Sequence, residues 1–212
     1  MCGQGLGFWP ANSNQDDIIV FNDEKRKDEL AIFHTIRQQM SHSQDRPNFA
    51  LSDFIATLNE NRNMPDYLCG LALTCGHGES ELSEKYKDKG DDYNSIMTKA
   101  LADRLVEAFA ERMHERVRKE FWKYSPNEDY NNEELIKEAY YGIRPAHGYP
   151  AQPDHTEKEI LFELLEAKKN TGVDLTESFS MSPAASISGL YFSNPETANY
   201  GVGKISKDQD ED

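Results

Sequence analysis

Residues 91–124 contain neither glycine nor proline, and this run constrains the fold more than any other part of the chain. Asp91 and Asp92 give it an acidic start, and Ser125-Pro126-Asn127 stops it. At 1.5 Å per residue, roughly 33 helical residues make a rod of about 50 Å. A chain of 212 residues is long enough for one domain with a real core beside such a rod. The core partners read as strands. Residues 18–21 form a short apolar run, 49–55 alternate, and 67–74 are more continuously apolar. Residues 175–181, 186–192 and 200–205 read as closing strands. Further helices are predicted over 25–40, with Leu30, Phe33, Ile36 and Met40 at helical spacing, over 79–89, ended by Gly90, and over 132–141. Asp154 is expected to cap another, with Glu157 completing a capping box. Strands at both ends with helices between them imply an α+β domain around a mostly antiparallel sheet. No internal repeat or low-complexity linker interrupts the chain, which favours a single domain over 1–212.

The face of the long helix follows from its period. Leu101, Leu105, Ala108 and Phe109 mark an apolar stripe. At 100° per residue, Asp103, Glu107, Glu111, His114 and Arg118 fall on the far side. That pattern fits a solvated face. Asp103 and Glu107 are like charges at i, i+4, an arrangement that costs about a few tenths of a kcal/mol in an isolated helix. The functional reading is a carboxylate pair placed against a cation, since both acids can reach one site.

A second informative segment is Arg144-Pro145-Ala146-His147-Gly148-Tyr149-Pro150. Pro145 drives Arg144 into extended backbone. Gly148 can take positive φ, and Pro150 and Pro153 stiffen the path that follows. A guanidinium, accessible peptide groups and an aromatic face on a rigid loop suit a zwitterionic ligand with a heteroaromatic part. The same residues also fit a proline-rich connector between two helices. His155 and His77 are weaker candidates: one reads as surface packing at a helix start, the other as part of a Gly-His-Gly turn.

Charge and composition exclude several classes. A formal charge of −15 and a pI near 4.8 argue against nucleic acid and anionic membrane surfaces. No apolar run approaches the ~18 residues of a membrane span, and residues 1–10 lack the pattern of a signal peptide. Cys2, Cys69 and Cys75 form no C-x-x-C pair and read as reduced thiols in a cytoplasmic protein. Metal-ligand spacings, a dinucleotide fingerprint, a phosphate loop and a nucleophile elbow are all absent from the sequence.

Several longer motifs occur in one order. They are Phe8-Trp9-Pro10-Ala11-Asn12-Ser13, Leu51-Ser52-Asp53-Phe54-Ile55-Ala56, the helix from Ala100-Leu101-Ala102-Asp103-Arg104 through His114-Glu115-Arg116-Val117-Arg118, and the loop Gly142-Ile143-Arg144-Pro145 through Glu157-Lys158. Asp174-Leu175-Thr176-Glu177-Ser178-Phe179 and Gly189-Leu190-Tyr191-Phe192-Ser193 complete the set. From about residue 7 to about residue 210 this series resembles the activation domain of cobalamin-dependent methionine synthase. The resemblance implies a bent sheet flanked by helices, with S-adenosylmethionine along its edge. It implies that Arg144 engages the methionyl carboxylate and that the backbone from Ala146 through Gly148 to Tyr149 holds the adenosine. Tyr200 would pack beside it, with Asp103 and Glu107 near the sulfonium.

In function, the resemblance implies a methyltransferase module of methionine biosynthesis, incomplete as a catalyst by itself. It would present the methyl donor for reductive methylation of cobalamin bound by a partner domain not in this chain. A flavoprotein of the flavodoxin or methionine synthase reductase type would supply the electron. His147 stands where the family usually has proline, and Asn199 where it commonly has an aromatic residue. Against the family pattern the chain reads as a partial activation domain, shortened at both ends, with an aspartate-bearing N-terminal part absent. The alternative is a truncated docking fragment that no longer binds S-adenosylmethionine. An unrelated acidic α+β binding domain is disfavoured by the ordered motifs.

Overall fold

The computed structural model describes residues 2–40, 47–58 and 64–204. The fold is α+β. Its five-stranded sheet has the order β3-β2-β1-β4-β7, with β1 at Gly3–Asn14, β2 at Asp17–Phe21, β3 at Glu29–His34, β4 at Asp66–Thr74 and β7 at Ser186–Tyr191. A separate two-stranded hairpin joins β5, Asp174–Leu175, to β6, Met181–Ser182. The helices are α1 (Glu79–Lys87), α2 (Asp92–Arg116), α3 (Asn132–Ile136), α4 (Lys158–Leu164) and α5 (Ala167–Thr171). No helix among the described residues is long and apolar enough to cross a membrane.

The chain divides into two compact units, and the division falls inside β1, β4, β7 and α4. One unit comprises Met1–Gly7, Gly70–Asn127 and Leu161–Gly189. In it α1 packs against α2 through a crossing of small residues, where the Ser83 and Ser95 hydroxyls lie 2.8 Å apart and buried. Asp91 caps α2 by accepting from the Asn94 N–H at 3.1 Å. The helix then widens over Val117–Phe121 into a π-helical turn, in which the Trp122 N–H reaches back to the Val117 carbonyl at 2.9 Å.

The other unit comprises Phe8–Cys69, Glu128–Ile160 and Leu190–Asp212. Its β1–β2 hairpin closes on the pair Asn14 and Asp17. The two intervening residues make the turn, Gln15 taking φ 55°. Ile18, Val20 and Phe33 from β2 and β3 are fully buried. Asn12, also fully buried, donates to the Ala56 and Met64 carbonyls at 2.8 and 3.0 Å and accepts from Arg26 Nε at 2.7 Å. Its amide thereby joins three separate segments to β1.

Several sequence expectations give way to tertiary pairing. Residues 25–40 hold no helix: Glu29–His34 is a strand antiparallel to β2, from Asp17 opposite His34 to Phe21 opposite Glu29. Ladder bonds and burial of Phe33 outweigh a helical spacing whose ends, Leu30 and Met40, lie exposed. Residues 49–55 contain a 3-10 turn at Leu51–Phe54 instead of a strand. There Asp53 accepts from the Ala50 N–H at 2.9 Å, and this local bond captures the backbone. β1 is a strand that the sequence does not announce, because Gly3, Gly5, Gly7 and Pro10 do not read as one. Pro10 lies just outside the Ala11–Asn14 stretch that pairs with β2, so the N–H it lacks breaks no bond there.

The helix expected over 132–141 ends at Ile136, and Glu138 turns to φ 52°. Asp154 does not cap α4; it accepts from the Thr156 N–H at 2.7 Å in a local turn, and α4 starts at Lys158. In place of a strand over 175–181 stands the β5–β6 hairpin. Residues 200–204 form no strand, and Ile205 lies outside the described residues.

Candidate ligand-binding site

The loop after α3 enters as a strand extension. Ile143 and Phe192 exchange backbone bonds of 3.2 and 3.1 Å, and the Leu190 N–H donates to the Pro145 carbonyl at 3.0 Å. Arg144, half-buried between these two anchored residues, therefore has a fixed backbone. The chain then turns: the Tyr149 N–H donates to the Ala146 carbonyl at 3.2 Å, the Gly148 N–H to Gln152 O at 2.8 Å, and the Gln152 N–H to Tyr149 O at 2.9 Å. The N–H groups of Gly148 and Tyr149 are thus used by the loop itself. Each engaged carbonyl keeps a second lone pair. Gly148 sits at φ 88°, and a Cβ there would stand 2.1 Å from His155 Cε1. The imidazole occupies the place of the missing side chain, so this position admits only glycine. Tyr149 is 64% exposed.

Tyr200 belongs to the same unit and is drawn to the loop by its neighbours. The Val202 N–H donates to the Pro150 carbonyl at 2.9 Å, and Gln38 Nε2 donates to Gly201 O at 3.0 Å. The Tyr200 ring packs against Phe49 and Phe54, with centroids 6.3 and 6.2 Å away. Burial, and then the nearby Asp53 carboxylate, push its phenol well above the usual range. Its hydroxyl is buried without a hydrogen-bond partner among the described residues. Beside it Arg37 bridges Asp16 at 2.5 Å and Asp53 at 2.6 Å. Burial raises the Asp53 carboxyl, but the Arg37 guanidinium and the Ala50 N–H outweigh it and hold it low. Asn199 donates to Glu138 Oε2 at 2.6 Å, so it serves as a polar tie.

Two buried titratable residues lie behind the loop, and the sequence gives no sign of their burial. His147 lies against Phe33 with centroids 6.3 Å apart, and neither ring nitrogen has a partner among the described residues. Burial, reinforced by Lys158, pushes it down to about 4, so it is neutral at pH 7. His147 therefore fills space here and carries no charge. Glu157, read as a capping residue, is buried and accepts from the His34 N–H; burial pushes it up to about 7. No spacing rule distinguishes it from the exposed Glu159 two residues on.

Asp103 and Glu107 lie on α2, in the other unit, and both are exposed. The stripe assigned to that helix must be corrected. Leu101 and Leu105 are 55% and 58% exposed, whereas Ala102, Val106, Ala110 and Met113 are buried and His114 and Arg118 fully so. Ala102, Val106, Ala110 and Met113 share one face at a spacing of three or four residues, and the two leucines lie outside it. Among the described residues no group of three or more His, Cys, Asp or Glu is placed to hold a metal ion.

This geometry has counterparts among known proteins. The family model described as "Vitamin B12 dependent methionine synthase, activation domain" matches residues 2–212. A solved structure of the MetH reactivation domain bound to AdoHcy is similar at a TM-score of 0.93 and 50% identity, over 97% of this chain. The chain spans 62% of the length of that solved chain.

Proposed function

The chain belongs to the activation-domain family of vitamin B12 dependent methionine synthases, and from that premise we propose that it binds S-adenosylmethionine and presents it for the reductive methylation of cobalamin. The cobalamin would be held by a partner domain, and a flavoprotein would supply the electron. The observation that carries this reading is the anchored loop. Arg144 is fixed by the paired residues on both sides, Gly148 is held at φ 88°, and an exposed Tyr149 ring follows. A ligand carboxylate suits the Arg144 guanidinium, which can bind it in bidentate fashion. The Tyr149 face suits an adenine ring, and the second lone pair on the Ala146 carbonyl suits its amino group. The buried Tyr200 hydroxyl offers a further polar contact beside the loop.

When bound, S-adenosylmethionine supplies an electrophilic methyl group on a sulfonium cation. Asp103 and Glu107 are proposed as the carboxylates that favour this cation, on the motif match alone. The residues of this chain bind and orient; none is proposed to make or break a bond. The AdoHcy bound to the related reactivation domain supports a ligand of this class.

Titration calorimetry with S-adenosylmethionine, on the parent chain and on Arg144→Glu, tests the reading. Loss of a charge-assisted bidentate contact corresponds to about 1.5–3 kcal/mol, or roughly 10- to 150-fold weaker binding. Unchanged affinity in Arg144→Glu would remove the arginine from the site. A folded parent chain that gives neither heat nor thermal stabilisation would leave the second reading, a docking fragment without ligand. The exposed apolar residues of α2, Tyr93, Ile96, Leu101 and Leu105, favour that second reading.

A further inference from the structure

We propose that Cys2 and Cys75 are an oxidative modification site: a thiol pair that closes to a reversible disulfide on reaction with a small-molecule disulfide such as oxidised glutathione. The argument starts from strand register. β1 and β4 are neighbours in the sheet. A Cβ on Gly3 would stand 3.3 Å from Thr74 Cγ2, and one on Gly5 would stand 3.9 Å from the Ala72 carbonyl. As the position in β1 advances by two, the facing position in β4 retreats by two. The strands are therefore antiparallel here, and the next step outward sets Cys2 opposite Cys75. Opposed residues of an antiparallel pair project to the same face with Cα atoms about 4.5–5.5 Å apart. That lies within the ~4.4–6.8 Å which a disulfide requires.

Both cysteines are free thiols in this structure, Cys2 exposed and Cys75 buried, and their side chains are within hydrogen-bonding reach of each other. Cys75 is held in place: its N–H donates to the Ala185 carbonyl at 3.0 Å, and Thr74 Oγ1 donates to the same oxygen at 3.1 Å. Cys2 is the exposed partner, so the small adjustment needed for bonding falls to it.

The chemistry balances in two exchanges. The Cys2 thiolate attacks the small disulfide, forms a mixed disulfide and expels one thiolate. Cys75, on losing its proton, attacks Cys2 Sγ and expels the second. The pair gives up two protons and two electrons, and the small disulfide becomes two thiols. Burial, and then the neighbouring Cys2 thiol, push Cys75 up to about 12. The second exchange is therefore the slow one at neutral pH, and it speeds up as pH rises.

The test uses the full chain, folded, incubated with oxidised glutathione, with remaining thiols alkylated after denaturation and mapped by peptide mass spectrometry. The expected product is lighter than the reduced chain by two hydrogens, links the Cys2 and Cys75 peptides, and leaves the buried Cys69 alkylated. Cys75→Ser should stop at a glutathione adduct on Cys2, and Cys2→Ser should give neither product. A parent-chain adduct on Cys2 that fails to convert as pH is raised would overturn the proposal. So would a Cys2–Cys2 linked dimer. If Cys75→Ser does not fold, the pH series on the parent chain decides alone.

Discussion

The helix α2 and the loop over 143–153 specify themselves in different ways. In α2 the backbone is uniform, and what must be chosen is which side faces inward. Ala102, Val106, Ala110 and Met113, at helical spacing, take the inward face, and Leu101 and Leu105 fall outside it. In the loop the backbone itself is chosen. Pro145, Gly148 and Pro150 restrict φ residue by residue, and the side chains follow. Periodicity is a strong signal for the existence of an element and a weak one for its orientation, whereas steric restriction of the backbone is local and survives folding.

The largest expected effects break this comparison on its helix side. Met113→Ala opens a cavity under α2 and should cost about 2–5 kcal/mol in denaturant unfolding. Leu101→Ala, at a position the apolar stripe would have made central, should stay within about 0.5 kcal/mol. Equal losses at both sites would restore the opposite orientation.

On the loop side, Gly148→Ala must place a methyl group where the His155 ring lies and hold alanine at positive φ. We expect a loss of about 2–3 kcal/mol. Adding His155→Ala should return the part due to collision and leave the part due to backbone strain. If the double variant shows no recovery, the imidazole does not occupy the place of the missing side chain. Arg144→Ala probes side-chain function without touching this path. It should weaken S-adenosylmethionine binding by about tenfold or more while shifting unfolding by less than about 0.5 kcal/mol.

The smallest effect depends on pH. Glu157 is pushed up from 4.5 to about 7, so the folded chain holds this proton more tightly than the unfolded chain does. Its stabilising contribution is complete below about 4.5 and is lost as pH rises through about 7. Glu157→Gln needs no ionisation, so the variant should gain on the parent over that window. The gain should level off near 1 kcal/mol, a value discounted for solvent screening. His147 runs the other way. Because its folded value of about 4 lies below 6.5, stability falls as pH drops from 6.5 towards 4. A flat stability profile for Glu157→Gln relative to the parent would show that this carboxyl is hydrated.

How far the sequence could be read follows from these same residues. Asp91, Gly90 and the absence of breakers foretold α2, whose hydrogen bonds are local, and the apolar runs foretold β2, β4 and β7, whose residues are mostly buried. β3 and β1 were not legible. β3 is a strand because β2 pairs with it, and β1 runs through glycines whose spacing matters where Thr171 approaches Gly3 and Gly5. In the candidate site, the path of Arg144, Gly148 and Tyr149 was legible through proline and glycine. The burial of His147 and Glu157 was not, since it is conferred by Phe33 and His34, more than a hundred positions away.

The wide turn at Val117–Phe121 has a consequence for how this chain tolerates changes in length. It takes up one residue more than an ordinary helical turn, so the chain from Trp122 onward leaves the helix about 100° further round than regular winding would put it. Removing a single residue within the turn would restore regular winding and leave the buried face of α2 from Ala102 to Met113 in place. A one-residue deletion at this point should therefore spare the preceding turns and oblige only the buried Val117 and Arg118 to repack.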